Sequence, residues 1–179
     1  LQLAVVRARR QGSDGAKIMD LGIYLIIAAL VGAKLMLVAV DFDYFRSQPQ
    51  AGQVFTAPLD VLLSPYDIVE PDLLVVTGDQ TDILTEKNIQ GAPALVVEVM
   101  SKSTRKRDAQ IKRRLFEQVG VREYWLVDPE LDTVQVFRPT AKGRLGRIQE
   151  LTAEDGGTLT TPLLPGCAID VRTLFRPTL

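Results

Sequence analysis

Glu98 stands alone among apolar residues in the run Leu95-Val96-Val97-Glu98-Val99-Met100. An ionised carboxylate on a buried strand is costly unless a cation, a metal ion or a raised pKa compensates it. Upstream, Pro71-Asp72 opens a second aliphatic run, Leu73-Leu74-Val75-Val76, and downstream Lys112 lies on a strongly basic predicted helix. If the two runs are adjacent strands, Asp72 and Glu98 can reach one divalent ion, with the Val99 backbone carbonyl as a third oxygen ligand. Hard oxygen donors of this kind select Mg²⁺ or Mn²⁺ over zinc. Such an ion polarises a phosphoryl oxygen and lowers the pKa of its bound water. A lysine beside that water orients it and offsets the developing charge, which is the role that Lys112 is placed to fill. The chemistry these residues point to is metal-dependent hydrolysis of a phosphodiester, with Asp72, Glu98 and Lys112 as its catalytic set. Two blander readings compete. Asp108 and Lys112 fit an i,i+4 acid-to-base pair on a solvated helix, worth about 0.3–0.5 kcal/mol, and a structural ion pair would equally account for Glu98.

Composition narrows the alternatives. The chain contains no histidine, which removes imidazole metal ligands, the usual general base and any Ser-His or Cys-His triad. Its single cysteine, Cys167, can form neither an internal disulfide nor a thiolate metal cluster, and fits a reducing, cytoplasmic setting. The net charge is -1, so the molecule as a whole has no electrostatic claim on nucleic acid. Between Lys102 and Arg114, however, seven basic residues face one acid, leaving +6 there and -7 elsewhere. Lys102, Arg105, Lys106, Arg107 and Arg113 are therefore the expected contacts to the phosphates of DNA, giving affinity without sequence readout.

The elements that must position these residues follow from periodicity and punctuation. Leu21 to Val40 is apolar apart from Lys34 and matches a membrane span of about 20 residues. A lysine near the bilayer centre costs only about 2.5–3.5 kcal/mol on insertion scales. A buried helix running into a strand is the favoured account of this stretch, and the membrane remains the other partner it could serve. Past Gly52 the pattern becomes short strands: Val54 to Thr56, Leu59 to Leu63, and Leu73 to Thr77, followed by a polar connection from Asp82 to Pro93 into the Glu98 strand. On that strand Leu95, Val97 and Val99 face one way and Val96, Glu98 and Met100 the other. Ser103 or Thr104 can cap a helix that runs to about Val119, with Ile111, Leu115, Phe116 and Val119 at helical spacing and Gly120 as its stop. Glu123 to Val127, a turn at Asp128 to Asp132 and Thr133 to Phe137 predict a hairpin in which Tyr124 and Trp125 are core residues, stacking of one of them on a base being the alternative. The stretch from Leu159 to Val171 predicts one or two edge strands and a short final helix. No phosphate-cradling glycine loop or dinucleotide fingerprint is present.

Three segments taken together resemble the Uma2 (DUF820) family of restriction-endonuclease-like proteins, within the PD-(D/E)XK nuclease superfamily. They are Pro71 to Val76, Thr85 to Ser101, and Gly120-Val121-Arg122-Glu123-Tyr124-Trp125-Leu126-Val127-Asp128-Pro129. The resemblance implies an α/β restriction-endonuclease-like core, residues 51–179, with a mixed central sheet flanked by helices and a divergent segment at residues 1–50. It implies that Asp72 and Glu98 are the two acidic positions of the nuclease motif. Met100 occupies the place of the usual motif lysine, whose role the resemblance transfers to Lys112, with Asp108 in the accompanying acidic position. Ser101 opens a Ser-Lys-Ser-Thr stretch where relatives carry Ser-Pro-Ser-Thr, and is a supporting position. The activity implied is Mg²⁺-dependent DNA cleavage, the alternative being an inactive nuclease-fold module for nucleic-acid binding or oligomerisation, for instance as a homodimer.

Overall fold

In the computed structural model the structure describes residues 52–100 and 107–175. The apolar stretch Leu21 to Val40, and Ser101, Lys102, Ser103, Thr104, Arg105 and Lys106, lie outside the described residues. The short apolar runs become β1 (Gln53–Thr56), β2 (Val61–Leu62), β3 (Ile68–Val69), β4 (Leu73–Val76), β5 (Ile89–Gln90) and β6 (Leu95–Val99). Helix α1 (Arg107–Val119) follows, then β7 (Glu123–Asp128), β8 (Thr133–Pro139), β9 (Leu145–Thr152), β10 (Thr158–Thr160), β11 (Ala168–Asp170) and α2 (Val171–Phe175). Six strands form a mixed sheet in the order β1-β4-β6-β7-β8-β9. Only the β6–β7 pair is parallel in this sheet. A parallel pair needs a crossover, and α1 supplies it. The small strands β3, β2 and β5 make a separate three-stranded sheet, and β10 and β11 a two-stranded one.

Alternation along β6 divides the core as expected. Leu95 and Val97 join Trp125, Val127, Val134 and Val136 on one face, sealed by Leu159, Leu164, Ile169, Val171 and Leu174 from the C-terminal elements. Val96 lies on the other face with Tyr124, Leu126 and Phe137, under Phe116 of α1. Leu74 and Val76 continue that face and carry the three-stranded sheet through Val61 and Ile89. The helix therefore lies over the face on which Glu98 points.

The termination of α1 follows from Gly120. This residue takes φ +85°, the Val121 N–H donates to the Phe116 carbonyl and the Gly120 N–H to that of Glu117. This is the glycine-terminated double bond that satisfies the last carbonyls of a helix, with Val121 packing beside Phe116. The N–H groups of Arg122 and Glu123 then donate to Ala94, docking the start of β7 on β6. The β7–β8 turn is closed by Asp128, whose Oδ1 accepts from the N–H groups of Glu130 and Leu131.

Several expectations required correction. Leu59 to Leu63 shortens to the two residues of β2. The connection from Asp82 to Pro93 contains β5 and overlaps a 3₁₀ helix, Gly78–Ile83. Ile111 is exposed, because the buried stripe of α1 runs through Lys112, Phe116 and Val119, one position round the helix from it. The eight-residue β9 was not anticipated at all: its residues are mostly exposed or half-buried, so it carries no apolar alternation. Among the described residues no helix is long and apolar enough to cross a membrane.

A second buried carboxylate, also unanticipated, ties the far face together. Glu123 is 1% exposed; its Oε1 accepts from Trp125 Nε1 at 2.6 Å, and its Oε2 from Arg138 Nε at 2.6 Å and Thr161 Oγ1 at 3.1 Å. Arg138 also donates to the Thr160 carbonyl, so this carboxylate links β7, β8 and the β10 hairpin. Removing it strands three donors. Glu123→Ala should destabilise the protein by about 3–5 kcal/mol, read as a lower urea midpoint. A loss below about 1 kcal/mol, the range of an exposed pair, would show the network to be dispensable.

Candidate active site

Glu98 enters the helix-side layer between β4 and β7. In the antiparallel ladder of β4 and β6, Leu73 pairs with Val97 and Leu74 with Val96, so Asp72 and Glu98 are the next residues across from each other. On the other side Glu98 pairs with Leu126 of β7. Its side chain is 8% exposed. The compensating cation is Lys112, whose Nζ lies 2.7 Å from Glu98 Oε2. Position 112 is one turn before Phe116, so the same stripe that buries Phe116 delivers the ammonium to the carboxylate.

Asp72 sits at the mouth of this layer. It is exposed, follows buried Pro71, and its Oδ2 accepts the Val99 backbone N–H at 2.7 Å. Within a strand, a residue's N–H and C=O project to the same side. The Val99 carbonyl thus belongs to the side of β6 that Asp72 occupies. The structure joins Asp72 to Val99 and Glu98 to Lys112, with the two acids across from each other at the end of the β4–β6 ladder.

The remaining predicted positions are placed less fully. Arg107 and Asp108 are in the first turn of α1. Arg113 is half-buried, with its guanidinium carbon 5.2 Å from the centre of the Phe137 ring. Ser101, Lys102, Arg105 and Lys106 lie outside the described residues. Cys167 is half-buried against the opposite core, where burial and then the charge of Glu123 push its thiol pKa up, so it is no candidate nucleophile.

One neighbour of these residues was expected to be core, or to stack on a base. Tyr124 is fully buried between Phe116 and Phe137, with ring centroids 5.3 and 5.7 Å away. Desolvation, followed by the charges of Glu98 and then Asp72, carries its phenol well above the ordinary value of 10.0, against an opposing pull from Arg113. Both candidate ligands are therefore felt at this hydroxyl. The available signal was alternation, which pairs Tyr124 with Val96 and puts it on the Glu98 side.

Among the described residues no three acidic, histidine or cysteine side chains converge as a metal cluster. The donors present, two carboxylates and one peptide carbonyl, nonetheless fit Mg²⁺, which characteristically takes one or two carboxylates and completes its shell with waters and phosphate oxygens. Asp72, Glu98 and Val99 would hold it.

The fold is α/β: a mixed sheet whose one parallel pair is joined by a helix, with two acids and a lysine on the helix side. A solved structure described as a putative nuclease belonging to DUF820, from Anabaena variabilis, matches with a TM-score of 0.65 over 83% of this chain and 80% of that one, at 17% identity. The model of the Uma2 family, described as "Putative restriction endonuclease", matches residues 32–172, and the chain belongs to that family. No protein with a curated description matches it.

The phenol of Tyr124 sets a pH dependence with a definite sign. Its folded pKa exceeds the ordinary 10.0, so the folded protein keeps a proton that the unfolded chain releases. That contribution is complete below the unfolded value and is lost as pH rises past it. Tyr124→Phe should flatten the fall in stability above about pH 10, measured as urea midpoints through the alkaline range. Parallel curves for the two proteins would contradict this account of the phenol.

Proposed function

We propose that this protein is a cytoplasmic, Mg²⁺-dependent endonuclease that hydrolyses DNA phosphodiester bonds, with Mn²⁺ able to replace Mg²⁺. The observation that carries the reading is Lys112 Nζ at 2.7 Å from Glu98 Oε2, in the layer into which Asp72 opens. Membership of a family described as "Putative restriction endonuclease" supports it. A bound divalent ion would supply polarisation of a phosphoryl oxygen and a water of lowered pKa. Asp72 and Glu98 fix their oxygens at the end of a rigid ladder, where reorganisation on binding is small. Lys112 orients the attacking water and offsets the charge that grows on the phosphoryl oxygens. The water oxygen bonds to phosphorus as the bond to the leaving sugar oxygen breaks; the proton the water sheds passes to bulk solvent, and the leaving oxygen takes one up from solvent. Lys102, Arg105, Lys106, Arg107 and Arg113 would hold backbone phosphates, which makes binding strongly salt-dependent and blind to sequence.

One feature supports a second reading. Asp72 Oδ2 accepts from Val99 and Glu98 Oε2 from Lys112, so each of these oxygens has a partner within the chain. A nucleic-acid-binding module that keeps the fold and has lost the chemistry fits the same contacts. The two readings part in EDTA: a binding module retains DNA without any cleavage on adding Mg²⁺.

Plasmid DNA should be cut in Mg²⁺ or Mn²⁺ and left intact in EDTA. Glu98→Ala and Asp72→Asn should abolish cutting, and Lys112→Ala should slow it by about 10²–10³-fold. Full activity in Glu98→Ala would defeat the mechanism.

A further inference from the structure

A tyrosine at position 124 is more polar than its packing needs. The ring is held by Phe116 and Phe137, contacts that a phenylalanine would make equally well. The hydroxyl adds a buried polar atom with no hydrogen-bond partner among the described residues. Leaving such a group orphaned costs more than a hydrogen bond returns. Its surroundings are specific. Tyr124 pairs with Val96, two residues before Glu98 on the same face, and the charges of Glu98 and Asp72 both act on its oxygen. Neither carboxylate bonds the hydroxyl directly. Because the oxygen is sealed from solvent it cannot touch a nucleic-acid substrate itself.

We propose that the Tyr124 hydroxyl donates to a buried water that in turn donates to Glu98, making Tyr124 a positioning residue for the candidate metal ligand. A water would give the hydroxyl the partner it lacks, since internal waters are typically held by two to four polar groups. Outer partners of this sort fix the orientation and basicity of a ligating carboxylate, and their loss lowers metal affinity by about 10–100-fold. The positioning role rests on the nuclease reading; the water does not.

The test compares the full-length protein with Tyr124→Phe. A high-resolution crystal structure of the metal-free wild type should show an ordered water bonded to Tyr124 Oη and a Glu98 oxygen, and the variant should fold normally and lack it. Mn²⁺ binding, followed by the paramagnetic resonance of the free ion, should weaken about 10-fold in the variant. A protein group bonded directly to Oη, a dry surround, or an unchanged Mn²⁺ affinity in the variant overturns the proposal. Should the wild type take up no Mn²⁺, the nuclease reading is what fails, and the crystal structures alone then decide whether the water is held as proposed.

Discussion

An ionised carboxylate sealed into a sheet must have a cation brought to it, and in this protein that need fixes where the helix lies. Glu98 is accessible from only one face of β6, so its partner has to come from the element covering that face. Lys112 meets the requirement from the half-buried edge of α1, with Phe116 one turn later anchoring the helix on Tyr124 and Val96. The parallel crossover from β6 to β7 and the glycine that ends α1 are the means by which an ammonium is held above one strand. The ion pair that makes the carboxylate tolerable is also the contact on which the proposed chemistry rests.

The sheet carries a second buried acid on its other face, and the contrast between the two is instructive. Glu123 is surrounded by three donors from its own chain and is thereby finished as a structural staple. Glu98 lies beside an exposed aspartate at the open end of a strand, where other oxygen-seeking partners can approach. Burial alone does not mark a functional acid. What distinguishes them is whether the surrounding layer opens to solvent.

Much of this was readable from residue types because it rests on alternation and on the cost of charge in apolar surroundings. The strands around Asp72, Glu98 and Tyr124, the helix ending at Gly120 and the short C-terminal strands all carry strong local signals. Lys112 was a candidate from its place on the basic helix after the Glu98 strand and from the family resemblance, although its spacing equally allowed a pair with Asp108. What escaped had weak or ambiguous signals. Strand β9 is an edge strand with polar residues on both sides, and β2 and β5 are two residues each. Glu123 sits at the border of an apolar run, where a charge normally marks the surface; only the distant Arg138 and Thr161 draw it inside. The Tyr124 hydroxyl could not be told from a core ring, because apolar patterning does not report the end of a side chain.

The bond from Val99 to Asp72 has a consequence for how this chain can change over generations. It substitutes a carboxylate for the next rung of backbone pairing, so the acid keeps its place only while β4 and β6 stay aligned. Dropping one residue from Leu73–Val76 would turn Asp72 towards the opposite core and unmake the pair of acids at a stroke. Insertions in the connector at residues 77–94 leave that alignment untouched. Length is free to drift between the two strands and frozen within them.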